Sequence, residues 1–440
     1  MARVLILNAA TYYAQPARLA FFPLDEELGL NSFGLTPRLQ QNLVRLATWM
    51  PFAKACSEVA HLTGTQVSAA TTRRLTEQVG ADFVGAQQQQ AQTLLAQPPA
   101  APSGPALQLM SVDGAMVPLL GGEWTEVKTL ALGEVKPGVG KDGESQAKTV
   151  ALSYFSRASQ AAEFTQQALV ETHRRGVENA AQVCAVTDGA VWQQGFIDYH
   201  RADAVRILDF AHASEYMAEC GRLHYEEESA AFKQWFEQQC RTLKRGDPLL
   251  VLQELERLKK KSARKGDASG QAVIESSLSY FWKRREMIAY AKFQAQGYPI
   301  GSGSVESANK VVVESRLKQA GMRWKRENID PMLGLRNVAC NQRWEEAWPE
   351  ISQYQSQQVK RGRQERREKR LRETADSDGP LSRQASPAKA ALKEMQQLLK
   401  ERKSAGRQGA YRPAADHPWR RMAIGRARYK PVAQRPDAKI

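Results

Sequence analysis

Cysteine is scarce in this chain. Its five residues among 440 (Cys56, Cys184, Cys220, Cys240 and Cys340) are scattered, odd in number and never arranged as C-x-x-C. That argues against a disulfide framework and against a zinc site, both of which need thiols grouped at short spacing. Long apolar runs are lacking too: none approaches the roughly 20 residues of a membrane span. The opening MARVLILNAATYYAQ carries a short apolar stretch, but Asn8 and the polar residues after it cut it below a secretory core. The expectation is a cytoplasmic chain with no membrane partner. No internal repeat is present. What is there, 42% hydrophobic residues over 440 positions, predicts a mostly folded protein of two to four structural units.

Acidic residues are under-represented, and unevenly so. The net charge is +15, yet residues 360–440 alone hold 23 Lys/Arg against 9 Asp/Glu, a net of +14. The remainder of the chain is close to neutral. A basic, partly disordered C-terminal tail (360–440) suits a polyanion such as DNA, with affinity that falls steeply in salt; a solubilising tail or general RNA stickiness is the plainer reading.

Punctuation divides the rest. After an N-terminal arm (1–34), residues 35–96 read as helical. LTPRLQQNLVRLATWM places Leu39, Leu43, Leu46 and Met50 at helical spacing, and Ser68 offers an N-cap to a later helix. Two helices across Thr63-Gly64-Thr65 match a helix-turn-helix, with Arg73 and Arg74 early on the second, although a plain helical packing unit fits as well. QPPAAPSGPA marks a linker at 97–106. Three strands separated by Gly-rich turns follow, then a helix, then the strands QVCAVTD and AVRILDFA. This β-β-β-α-β-β order predicts an α/β ribonuclease-H-like core over 107–359. An all-α insertion at about 214–298 contains the basic loop KKKSARKGD.

Three acids carry the chemistry. Asp113 and Asp188 each end an apolar, β-branched run and precede Gly-Ala, while Glu306 falls in the first turn of a helix announced by GSGS. Each alone also suits a turn or a helix cap. Together, in this order, they are the strand-Asp, strand-Asp and helix-Glu set that gathers two Mg²⁺ (or Mn²⁺) ions for phosphodiester cleavage and joining. Carboxylates are required because Mg²⁺ is a hard cation with an octahedral oxygen shell. Asp209, three residues before His212, ends another apolar run; the pair suits contact with a phosphate, support of the main carboxylates, or a simple cap. His200 and His224 read as surface or packing residues. Beyond Glu306, Lys310, Arg316, Lys318, Arg323, Lys325 and Arg326 surround Trp324, a pattern that fits a DNA backbone with a stacking aromatic, or a solvated helix over a buried Trp.

The segments SVDGAMVPL, AVTDGAVW, RILDFAHASEY and, above all, YPIGSGSVESANK with RLKQAGMRWKRENIDPMLGLRN resemble the DDE transposases of bacterial insertion sequences, in particular the ISKra group. HPWRR at 417–421 is similar to a short C-terminal signature of such proteins. The resemblance spans roughly residues 107–350. With the broader Mutator-like relatives, it implies Asp113, Asp188 and Glu306 as the metal-binding triad and Asp209 with His212 as the Asp-x-x-His element. It further implies binding of the element's terminal inverted repeats, nicking, and strand transfer into target DNA near the bacterial nucleoid. A homodimer or larger assembly on paired DNA ends is expected from the reaction itself. A structure-specific nuclease, or a catalytically silent DNA-binding regulator derived from a transposase, would share these residues.

Overall fold

A computed structural model describes residues 34–139 and 145–377, with the backbone of a two-residue ladder pairing Tyr12–Tyr13 with Ala20–Phe21. The expected arm otherwise lies outside the described residues, as does the basic tail beyond 377. The chain divides into two compact units, 1–360 and 361–440.

The centre of the first unit is a mixed five-stranded sheet, so the protein is α/β. Strands β1 (Leu107–Pro118), β2 (Trp124–Val139) and β3 (Ser145–Arg157) form an antiparallel meander; β4 (Gln182–Thr187) runs parallel to β1, and β5 (Val205–Leu208) parallel to β4. The spatial order is β3-β2-β1-β4-β5. β4 is buried beyond its first residue and β5 over its second half, and both are rich in β-branched residues.

Alternation along the strands separates two cores. Met110, Val112, Val183 and Ala185 face α4 (Ala161–Gln167) and α6 (Val191–Arg201), packing with Phe164, Phe196 and Ile197. Leu109, Cys184, Val186 and Ile207 face the helical block α7 (Phe210–Arg222), α8 (Ala230–Arg245), α9 (Pro248–Lys265), α10 (Ala268–Lys283) and α11 (Tyr290–Ala295). Between α4 and β4 lies α5 (Leu169–Arg174). Helix α6 was not expected between the two last strands. The run KKKSARKGD was expected as a loop, yet it is helical to Lys265, and Asp267 then caps α10 by accepting from Gly270 N at 2.9 Å.

The N-terminal helices α1 (Pro37–Trp49), α2 (Phe52–Thr63) and α3 (Ala69–Ala96) share a core with α13 (Ile329–Cys340) and α14 (Trp344–Ser377). Leu43, Val59, Leu75 and Phe83 pack there with Leu335, Val338 and Trp344. Gly80 permits a close approach: a Cβ at that position would lie 2.3 Å from the carbonyl oxygen of Pro331. Segment 35–96 therefore packs within the first unit. Residues 97–106 are irregular, as a linker would be, but they are fastened down. Asn179 Nδ2 donates to the carbonyls of Ala101 (2.8 Å) and Pro102 (3.0 Å), and the amides of Ala181 and Gln182 donate to Pro105 and Ala106.

Candidate active site

Sheet register brings the two aspartates level. Leu109 pairs with Cys184, and four residues further on Asp113 in β1 and Asp188, one residue past β4, fall on the same face, the one covered by the helical block. Past that pair the strands splay, and side chains bridge the gap. Ser111 Oγ donates to the carbonyl of Val186, and buried Gln193 on α6 donates from Nε2 to the carbonyl of Val112 at 3.1 Å. The other end of that amide accepts from Ala190 N at 3.1 Å, while Asp188 Oδ1 accepts from the same N–H at 3.0 Å. The turn after β4 is thus folded around its own carboxylate.

Glu306 arrives from α12 (Gly303–Ala308), whose Val305 and Ala308 pack on Ala131 of β2. Ala131 is the strand partner of Ser111, so this is again the face of Asp113. The helix continues as a π turn over Asn309–Glu314 and ends at Leu317. Asn309 donates from Nδ2 to Asp113 Oδ2 at 2.8 Å, and Glu306 Oε1 accepts from Ser302 Oγ at 2.8 Å.

The Asp188-Gly189 turn is clamped by the end of α10. Tyr280 donates its hydroxyl to the carbonyl of Asp188, and Arg284, stacked 3.9 Å over the Tyr280 ring, donates to the carbonyl of Gly189 at 2.7 Å. Gly189 is left-handed (φ +79°), and a Cβ there would sit 2.5 Å from Arg284 Nε, so glycine is needed twice over. Tyr216 stacks on Tyr280 at 4.3 Å, and burial raises the Tyr280 hydroxyl well above its ordinary value. The helical block therefore supports the site directly.

Asp209 is buried, with both oxygens engaged: Oδ2 caps α7 by accepting from His212 N at 2.8 Å, and Oδ1 accepts from Ser302 N at 2.7 Å. It ties the end of β5 to the start of the Glu306 helix. The positional link between Asp209 and His212 is real, but through the His212 backbone; its ring lies edge-on to Tyr216, with Nδ1 3.7 Å from Glu215. His200 packs on Phe196, and its nitrogens lie 3.1 Å from Thr172 Oγ1 and 3.0 Å from the Thr165 carbonyl; burial lowers its pKa to about 4. It is a half-buried packing histidine. His224 Nε2 sits near the carbonyl of Leu258 and Ser262 Oγ, both at 3.1 Å.

Electrostatics unite the three acids. Burial raises the Asp113 carboxyl, and the negative charges of Asp188 and Glu306 push it the same way against the opposing hydrogen bonds from Gly114 and Asn309. Among the described residues, no three His, Cys, Asp or Glu side chains converge closely enough to hold one ion between them. A pair of carboxylates per ion is what Mg²⁺ ordinarily takes, the rest of its shell being water and substrate oxygen. The donor set fits that pattern: every group is a hard oxygen, and the amide oxygen of Asn309, beside Asp113, is buried without a hydrogen-bond partner. From Glu306 and Asp209 an open groove of about 1110 Å³ extends past Ser302–Ser304, bordered by Lys136, Lys148 and Lys244.

The basic segment divides. Arg73, Arg74, Lys310, Lys318, Arg323, Lys325 and Arg326 are exposed. Arg73 of α3 joins Arg323 and Lys325 around a second groove of about 350 Å³, so two basic clusters far apart in sequence meet. Arg316 and Trp324, expected at DNA, are corrected: they are 1% and 5% exposed. Trp324 Nε1 donates to the carbonyl of Leu317 and its ring meets Phe52 edge-on, while Arg316 donates to the carbonyl of Ala47. Their composition suggested a nucleic-acid surface because sequence does not reveal which main-chain carbonyls need donors. Asn309, Gln193, Tyr280 and Arg284 were missed; only the spacing of Asn309, one helical turn beyond Glu306, offered a signal.

No family model matches the sequence, and no curated protein matches it.

Proposed function

We propose that the chain is a Mg²⁺-dependent DDE transposase on a ribonuclease-H-like core, binding the ends of an insertion sequence and performing DNA strand cleavage and strand transfer. The strand order β3-β2-β1-β4-β5, with an antiparallel meander and two parallel strands after it, supports the core. One observation carries the activity: Asp113, Asp188 and Glu306, distant in sequence, share one face of the sheet, and the charges of the last two bear on the first.

Asp113, Asp188 and Glu306 would hold the ions, which when bound activate a water or 3′-hydroxyl and stabilise the leaving oxygen. The chain's own residues do the rest. Ser302 aims Glu306; Asn309 aims Asp113; Gln193, Tyr280 and Arg284 keep the Asp188 turn in register. Lys136, Lys148 and Lys244 line a groove in which a DNA strand can lie against Glu306, its phosphates neutralised. Lys310, Lys318, Arg323, Lys325 and Arg326, with Arg73 and Arg74, offer further phosphate contacts. Two copies on paired ends would complete the reaction.

The test is cleavage and joining of a labelled element end in Mg²⁺. Asp113→Asn, Asp188→Asn and Glu306→Gln should each abolish both while end binding persists, and EDTA should do the same to the parent chain. Cleavage retained by a variant removes that residue from the set. A pre-cut end that is never joined to plasmid would leave only a nuclease.

A further inference from the structure

We propose that Asn309 is a fourth member of the acid site, its amide nitrogen holding Asp113 while its amide oxygen serves a divalent cation bound between Asp113 and Glu306. This rests on reading the acids as a cation site, and it makes Asn309, there only a support for Asp113, a ligand in its own right.

Asn309 is 6% exposed, and its two amide ends are used unequally. Nδ2 donates to Asp113 Oδ2 at 2.8 Å, which fixes the orientation of the amide, because the reverse would set oxygen against carboxylate. Oδ1 is then buried with no partner. Buried polar atoms are satisfied in the great majority of cases, so an orphan acceptor on an amide already bonded to a carboxyl with acidic neighbours points to a cation. A neutral amide oxygen is a hard ligand of the kind that Mg²⁺ and Mn²⁺ accept, and it adds no further negative charge.

The backbone explains how the amide comes to be there. Glu306 and Asn309 are three apart and so share a helix face. The π turn begins at Asn309, and its displaced carbonyls are taken by a buried guanidinium: Arg336 Nε donates to Val312 O at 3.1 Å, a terminal nitrogen donates to Val311 O, and the same group reaches Ser315 Oγ. A π turn inside an α-helix frequently marks a functional site. Here it is held from behind by Arg336 and presents the amide in front.

The experiment measures Mn²⁺ binding to the full chain by the electron paramagnetic resonance of free Mn²⁺, with thermal melts in EDTA and in Mn²⁺. Asn309→Ala should weaken Mn²⁺ about 10–100-fold, with an unchanged circular dichroism spectrum. Asn309→Asp keeps the shape and an oxygen but sets a charge against Asp113. It should melt lower than the parent chain in EDTA and gain more from Mn²⁺ than the parent does. If Asn309→Ala does not fold, the Asn309→Asp melts decide: an Mn²⁺ gain no larger than the parent's overturns the assignment. Parental Mn²⁺ affinity in Asn309→Ala, with Asp113→Asn weakened, overturns the role of Asn309 and leaves the acid site standing. Parental affinity in Asp113→Asn and Glu306→Gln alike would overturn both.

Discussion

Two charged regions of the first unit solve opposite problems. Midway along β1, just past β4 and on α12, three acids stand on one face, and among the described residues none is ion-paired with a Lys or Arg. Their partners are neutral: the Asn309 amide for Asp113, the Ala190 N–H for Asp188 and the Ser302 hydroxyl for Glu306. Behind them, Arg316 and Arg336 are each 1% exposed, with their guanidiniums turned to main-chain carbonyls and aromatic faces. Arg316 lies 4.8 Å over Phe52 and 5.1 Å over Trp324, and Arg336 lies 4.4 Å over Trp49. Both arginines are buried against aromatic rings and bonded to main-chain carbonyls, although Nη2 of Arg316 has no hydrogen-bond partner, and so they read as structure. The acids are bonded only to neutral groups, and Glu306 opens onto a groove, so they read as a site. The distinction lies in what each charge is offered, and not in its sign or its neighbours in sequence.

Breaking the buried side should have the largest effect. Trp324→Ala removes an indole packed on Phe52 and Arg316, and should cost about 3–5 kcal/mol of stability in urea unfolding. DNA affinity per folded molecule should not change; a selective loss of affinity with normal stability would return Trp324 to the DNA surface. Next comes Arg336→Leu. The carbonyls of Thr48, Val311 and Val312 then lose buried donors, at a cost of about 3 kcal/mol. Because the π turn loses its brace, cleavage should fall as well, measured at a temperature where the variant is still folded.

The acid side gives a smaller effect whose sign follows from linkage. Asp113 is held above its ordinary value of 3.8 by burial first, then by the charges of Asp188 and Glu306. Below that value folded and unfolded chains are both protonated, so nothing is lost. As pH rises through it the unfolded carboxyl ionises more readily than the folded one, and the wild-type chain loses stability until the folded group has ionised too. Asparagine does not titrate. In EDTA, the melting advantage of Asp113→Asn over the parent chain should therefore be least in acid, grow with pH and level off. An advantage that ignores pH would mean that neither burial nor the neighbouring acids hold the Asp113 carboxyl raised.

The strands bearing Asp113 and Asp188 were legible from their apolar, β-branched runs, but Asp-Gly ends the strand only at Asp188; β1 runs on from Asp113 to Pro118, paired with β2. The Glu306 helix was legible from its small polar entry and from Val305, Ala308 and Val312, all of which are buried. Helix α6 was hidden: within VWQQGFIDYHR the interior receives only Gln193, Phe196 and Ile197 as fully buried residues, one of them an amide. The docking of residues 97–106 was equally hidden, since it depends on Asn179 and two backbone amides that no composition reveals. Asn309 went unnoticed because a neutral amide gives no charge signal; its meaning lies in the single orphaned oxygen.

The smallest effect on stability belongs to the exposed basic residues, and it divides the two regions most finely. Arg323 and Lys325 sit on either side of Trp324, yet both are exposed and border the groove that Arg73 shares. Replacing either with Ala should change stability by no more than about 0.5 kcal/mol. Each should instead flatten the dependence of DNA affinity on salt by about one ion, because a phosphate contact displaces roughly one counterion. Glu77 in the same groove is raised by burial and opposed by Arg73 and Lys325, so it competes with phosphate for those cations. Glu77→Gln should therefore strengthen DNA binding in low salt, the opposite sign to Lys325→Ala. If both variants leave the salt slope alone, this groove does not carry DNA, and the path of the strand lies wholly along Lys136, Lys148 and Lys244.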